Sequence, residues 1–156
     1  MVCTSLGIAT IAYAGLGLRT TFVRLHLIDI PAGSRQNLGD LVGRPFEVRN
    51  ESSMPLTVRV DPEPARSGLL LPGYKPMPAA SWLWVEPQEF AIPPGQTRSA
   101  KVYLAVPNDP NLVGEHLQGA LWIHSVGGNA IQIGLRTKVP FTVGAKGAKP
   151  RSETPN

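Results

Sequence analysis

From Ile131 to Val143 the chain alternates with a period of two. The odd positions are Ile131, Ile133, Leu135, Thr137, Val139, Phe141 and Val143, and between them stand Gln132, Gly134, Arg136, Lys138, Pro140 and Thr142. Successive side chains of a strand point to opposite faces, so this register demands one extended strand with an apolar face and a polar face. Pro140 has no N–H to give to a ladder, which predicts that the strand lies at or near a sheet edge, at least in its second half. A long edge strand with an apolar face is open to pairing with another chain. Such a face first of all lines a core, and Ile131, Ile133 and Leu135 are expected to do so. The stretch after Thr137, with Lys138, Val139 and Phe141, is the better candidate for contact with a partner. Arg136 completes the candidate edge.

The rest of the chain reads as short strands between turns. Its 156 residues suit one domain with a real core, and a hydrophobic fraction of 42% fits a globular protein. The 16 glycines and 16 prolines fall between short apolar runs rather than in a repeat. Phe22–Ile30 alternates weakly and ends at Pro31-Ala32-Gly33, a strand and a turn. Residues 35–43 read as a polar loop. Residues 44–50 and the alternating Leu56, Val58 and Val60 form a hairpin around Glu51-Ser52-Ser53, with its apolar side inward. Residues 81–86 are apolar on both faces, as in a buried strand, with Trp82 and Trp84 expected to point the same way. Residues 98–106 and 116–125 supply two more strands, and Val126-Gly127-Gly128-Asn129 turns the chain into the final one. About seven strands with turn signals between them, and no convincing helix after residue 18, are the pattern of a single immunoglobulin-like Greek-key β-sandwich, an all-β fold.

Three segments fall outside that pattern. Met1 to Leu18 carries no charge and is mostly Leu, Ile, Ala and Gly. Its length is near the lower limit for a membrane span, and Ala12-Tyr13-Ala14 before Gly15 fits the small-x-small pattern of signal cleavage. Residues 1–18 are therefore expected to be a signal peptide or membrane anchor, either of which places the domain, residues 19–143, outside the cytoplasm. The alternative is a buried N-terminal strand or helix. Asp61 to Ala80 holds prolines 62, 64, 72, 76 and 78, which exclude a normal helix or central strand. Long irregular loops are more often functional than not. Its apolar knot, Leu69, Leu70 and Leu71, with Tyr74 nearby, either covers one end of the sandwich or forms a partner-binding arm. Residues 144–156 lack apolar periodicity and are expected to be a flexible basic tail.

Composition also excludes. The net charge of +4 comes largely from scattered residues and from Lys146, Lys149 and Arg151 in the tail, not from the clustered phosphate contacts that nucleic acid needs. The lone cysteine, Cys3, forbids an internal disulfide or a thiolate zinc site, and it lacks the small preceding residue of a lipoprotein signal. His26, His116 and His124 show no metal-ligand spacing. Glu86 and Glu89 flank Pro87, but a carboxylate pair without a pocket is weak ground for acid–base chemistry. Gly15-Leu16-Gly17 lacks a dinucleotide-loop context, and neither Ser99 nor Ser125 sits in a nucleophile elbow. No enzymatic activity and no cofactor are expected. Trp82 and Trp84 are expected in the core; the alternative is a stacking platform for sugar that uses Trp82, Trp84 or Trp122.

The final strand, NAIQIGLRTKVPF, resembles the last strand of the N-terminal domain of periplasmic pilus chaperones, the PapD-like immunoglobulin fold. The EVRNES hairpin and WLWVEPQEFAIPPGQTRSAKVYL agree with it, and the resemblance covers residues 20 to 143. It implies a last strand that lends alternating apolar side chains to an incomplete pilus subunit. It also implies a lysine near that strand's end and an arginine on the first strand gripping the subunit's terminal carboxylate in a cleft between two domains. Pro140 stands at the lysine's position and Lys138 two residues earlier; Arg19 and Arg24 are the arginines on offer. The expected function is a non-catalytic accessory subunit outside the cytoplasm that docks to partner proteins. The alternatives are a chaperone-like factor donating its last strand, or a carbohydrate-binding module.

Overall fold

The computed structural model describes residues 17–127 and 134–154. Two sheets face each other across one core. The first runs from β1 (Leu18–Thr20) to β4 (Phe46–Asn50), β9 (Thr97–Ala105) and β3 (Arg35–Asn37), with β7 (Leu83–Glu86) on the other flank of β9. The second has the order β12 (Arg151–Ser152), β2 (Leu27–Pro31), β11 (Gly134–Gly144), β10 (His116–Val126), β5 (Leu56–Pro64) and β8 (Glu89–Ile92), with the short β6 (Lys75–Pro76) beside β10. The arrangement is the immunoglobulin-like Greek-key sandwich that the alternation predicts.

Alternation also decides what fills the space between the sheets. Val48, Val58, Val60, Val102, Leu104, Leu121, Ile123, Val139 and Phe141 are all buried, each one residue away from an outward-facing neighbour. Each such apolar side chain contributes roughly 1.5–3 kcal/mol on leaving water. The segment expected as one strand over Phe22–Ile30 is in fact a crossing. β1 pairs with β4 in the first sheet, the chain passes through Phe22 and Leu25, both fully buried, and β2 pairs with β11 in the second. Phe22 meets Phe46 with ring centroids 5.2 Å apart, which pins the crossing to the core.

Other differences have local causes. Residues 35–43 are not a loop but β3 followed by α1 (Leu38–Val42). Asn37 caps that helix, its Oδ1 accepting from the Gly39 N–H at 2.9 Å, and Gly43 ends it at φ 76°, a left-handed conformation that glycine adopts without strain. Leu38 supplies the buried anchor. Residues 80–82 form a 3₁₀ turn, so the strand begins at Leu83. Trp82 then packs on the core while Trp84 turns outward, and the two do not point the same way. β8 was not expected from the sequence. Past Gly144, Arg151–Ser152 pairs with β2, and Arg151 reaches Asp29 at 2.8 Å.

Candidate partner-binding edge

β11 is not an edge strand. β10 lies along one side, in register from Leu117↔Phe141 to His124↔Gly134, and β2 runs parallel to it on the other side from Phe141 onward. The sequence placed the free edge in the second half, and that is the half that β2 covers. Val139 and Phe141 have 0% exposure, so their side chains belong to the core and not to the surface. Val143 exchanges hydrogen bonds with Gly114 and Glu115, so odd residues turn their backbone groups toward β10 and even residues turn theirs away. Pro140 is even. Its missing N–H faces the gap in the β2 ladder between Lys138 and Phe141 and breaks nothing.

The opening lies at the other end. No strand ladder borders Gly134–Arg136 on the side away from β10 among the described residues. There the chain that crosses between sheets is bonded to β11 at Thr137 and Lys138: the Thr137 hydroxyl donates to the Phe22 carbonyl, and the Leu25 N–H donates to the Lys138 carbonyl at 2.9 Å. Arg24 and Lys138 are parallel bridge partners, so their side chains leave the sheet on one face. Neither forms an ion pair among the described residues. Val23, next to Arg24, is 72% exposed, the highest value among large apolar side chains there. Among the described residues, two cations without an ion pair and an exposed valine therefore flank the end of a strand edge that no ladder borders. Of the residues singled out in the sequence, Arg24, Arg136 and Lys138 come together here with the half-buried Leu135. Ile131 and Ile133 lie outside the described residues, as do Cys3 and residues 1–16.

The outward face beside this edge is already committed internally. The Trp122 ring lies across Gly134, where a Cβ would collide with it. His124 stacks on Trp122 at 5.4 Å and 15°, and the Arg136 guanidinium sits 4.5 Å over the same ring. Arg136 Nε donates to Glu63 at 2.7 Å, and Asp61 accepts from Arg59 at 2.8 Å and meets His124 Nε2 at 2.6 Å. Burial pushes the Asp61 carboxyl up, but the hydrogen bonds and charges of Arg59 and His124 outweigh it and hold the group below its ordinary value.

The proline-rich loop is tied down rather than free. Gln118 shares the outward register of Trp122 and His124, yet has 0% exposure because the loop lies over it. Its Oε1 accepts from the Leu71 N–H at 2.9 Å, its Nε2 donates to the Leu69 carbonyl at 3.0 Å, and its own carbonyl accepts from Met77 at 2.9 Å. Met77 plugs into the core while Leu69, Leu70 and Leu71 stay half-exposed. Tyr74 draws two histidines together: His26 Nε2 lies 3.1 Å from its hydroxyl and His116 stands edge-on at 5.3 Å. Burial, with the Glu153 carboxylate, keeps the Tyr74 hydroxyl above its ordinary value, hence protonated at neutral pH. Sequence reasoning missed Gln118; a lone polar residue inside the apolar run HLQGAL was the available signal.

Trp84 and Trp122 face outward on different sheets and Trp82 packs on the core, so these three rings do not share one surface. Among the described residues no group of three or more His, Cys, Asp or Glu side chains is placed to hold a metal, and no helix is long and apolar enough to cross a membrane.

No protein-family model and no curated protein sequence matches the chain. Solved structures do. The periplasmic chaperone SfaE superposes with a TM-score of 0.55 at 10% identity, over 83% of this chain and 59% of its own. The fold is PapD-like. A chain of the Salmonella enterica SafA pilin–SafB chaperone complex matches at 0.51 and 17% identity, over 82% of this chain and 55% of its own. The human CEP192 PapD-like domain 7 matches at 0.53 and 9% identity, over 92% of this chain and 96% of that domain. This chain thus spans just over half the length of the chaperone structures and nearly the whole of the single PapD-like domain.

Proposed function

We propose that this chain is a non-catalytic protein-docking module of the chaperone-like kind, working outside the cytoplasm. A partner's extended segment adds to the open side of Gly134–Arg136, and an acidic group at its end meets Arg24 and Lys138. The observation that carries the reading is the placement of Arg24 directly opposite Lys138, neither in an ion pair among the described residues, where the described ladder of the last strand lapses. Unpaired strand edges recruit strands through main-chain hydrogen bonds, and side chains beside them add selectivity. The half-exposed Leu69, Leu70, Leu71 and Tyr74 are proposed as a secondary contact, and Ile131 and Ile133, outside the described residues, are kept as partner-binding candidates on their sequence alone. Support for the chaperone-like form comes from the fold shared with periplasmic chaperones. The match to a lone PapD-like domain supports a second reading, an accessory subunit that stays bound in a larger assembly.

A photo-crosslinking amino acid at Val23, in the full chain expressed in its own host, tests both. The expected result is a discrete adduct that disappears in the Arg24→Glu, Lys138→Glu double variant, whose melting temperature stays unchanged. An adduct that chases away over time means transient chaperoning; a permanent one means an accessory subunit. No adduct, or one indifferent to both charge reversals, removes the proposed edge.

A further inference from the structure

Two groups of charged residues on opposite sheets differ in how they are satisfied. On the second sheet Arg59, Asp61, His124, Glu63 and Arg136 satisfy one another. On the first, Arg44, Lys101 and Asp40 form no ion pair among the described residues. These three line a groove of about 970 Å3 between the α1–Pro45 bend and β9, whose apolar walls include Pro45, Phe46 and Pro87. Arg44 Nε is cut off from solvent and has no acceptor. Buried donors without an acceptor are rare in folded proteins and call for an explanation. Next to the groove, Trp84 and Tyr103 stack at 5.2 Å, Arg35 lies 4.4 Å over the Tyr103 ring, and Trp84 Nε1 donates to the groove residue Glu86 at 3.2 Å. Tryptophan, tyrosine and arginine held in a fixed array are the side chains that dominate binding hot spots.

We propose that this groove docks a peptide segment of a partner protein in which a carboxylate side chain stands beside apolar residues. The carboxylate takes the fork of the Arg44 guanidinium, which swings outward to supply Nε and Nη together, and Lys101 adds a second charge. Apolar neighbours of the acid rest on the exposed Pro45 and Pro87. Asp40 and Glu86 share the groove, so a polyanion, with charge at every step, is repelled where a single carboxylate is not. The site lies on the opposite sheet from Arg24 and Lys138 and does not depend on the edge proposed above.

A random-peptide display library panned against the full chain tests this. The expected outcome is an enriched motif with Asp or Glu flanked by apolar residues. A synthetic peptide of that motif then loses about tenfold or more in affinity with the Arg44→Met variant, the scale of one charge-assisted contact, and again when its acid becomes an amide. Arg44→Met keeps the aliphatic stem; should it lower the melting temperature, the exposed Lys101→Met carries the test instead. The Arg24→Glu, Lys138→Glu variant binds the peptide as the wild type does. No motif, a motif without an acid, or affinity indifferent to both groove variants overturns the proposal. Polygalacturonate binding with the same dependence on Arg44 overturns it too, in favour of a general anion surface.

Discussion

Asn50 shows what one buried polar side chain contributes when every group it owns is used. It has 0% exposure at the end of β4. Its Nδ2 donates to the Met54 carbonyl at 2.7 Å and to the Ile92 carbonyl at 2.9 Å, while Oδ1 accepts from the Ser52 N–H and hydroxyl at 2.9 and 2.7 Å. Ile92 belongs to β8 in the second sheet, so this single amide joins the end of one sheet to the other. Replacing it by alanine leaves the Ile92 carbonyl buried without its donor, a loss of about 1–3 kcal/mol. Asn50→Asp is expected to cost more, because it points a carboxylate at two carbonyls and removes both donors. Urea unfolding should rank the proteins wild type, then Asn50→Ala, then Asn50→Asp. An aspartate variant as stable as the wild type would refute the assignment of Nδ2 to the two carbonyls.

At the level of elements, the loop over β10 has few apolar contacts of its own to hold it. Leu69, Leu70 and Leu71 are half-exposed, and their stretch is fastened by the Gln118 amide, while Met77, the pairing of β6 with β10 and the Tyr74–His26 contact hold the loop further along. Gln118→Leu keeps the volume but leaves the Leu71 N–H and the Leu69 carbonyl unpaired. The loop should then open locally while the sandwich stays folded. Hydrogen exchange at the Leu71 amide is expected to accelerate at least about tenfold, the equivalent of one lost hydrogen bond, while core amides such as Leu121 keep their protection. Unchanged exchange at Leu71 would mean that the loop is held by something other than Gln118. The same elements show what the sequence could and could not tell. The alternation over Thr137–Val143 names the inward face of β11 correctly, because burial follows side-chain period. It does not say which strand lies alongside. That depends on which way each backbone N–H points, and Pro140 silences one that faces a gap. The strands β4 and β5 were legible, but the hairpin expected between them was not what forms: β4 pairs with β1 and β9 in the first sheet and β5 with β10 and β8 in the second, so the turn at Glu51-Ser52-Ser53 carries the chain from one sheet to the other. Nor was α1 legible: five residues capped by Asn37 and Gly43 are too short for a helical period to show. Arg24 stood in plain sight, but only the crossing between sheets sets it opposite Lys138. The groove was not legible at all, since Arg44, Pro87 and Lys101 come from three separated segments.

For the whole molecule, the pairing of acids and bases on the second sheet's outer face makes stability depend on pH in one direction. Asp61 joins β5 to β10 through His124 and is held below its ordinary value of 3.8 in the folded protein. A carboxylate with a depressed folded value contributes stability that is fully present above its unfolded value. That contribution fades as pH falls through the folded one. At about pH 5 and above, over the ordinary carboxylate range, Asp61 is ionised whether the chain is folded or not; below about pH 4 its contribution should begin to fade, and it is gone once the pH is below the lowered folded value. The group is partly exposed, so the effect is modest: Asp61→Asn is expected to lower the neutral-pH melting temperature by about 2–4 °C, the equivalent of about 1 kcal/mol in a domain of this size. The decisive quantity is the difference between wild type and variant along a pH series. It should close as the solution is acidified from pH 5 to pH 2.5, because protonated Asp61 and asparagine are then alike in charge. A difference that persists unchanged at pH 2.5 would mean that Asp61 acts through shape and hydrogen bonding rather than charge. The pairing on that face would then not be electrostatic in origin, and the contrast with the unpaired groove on the other sheet would lose its physical basis.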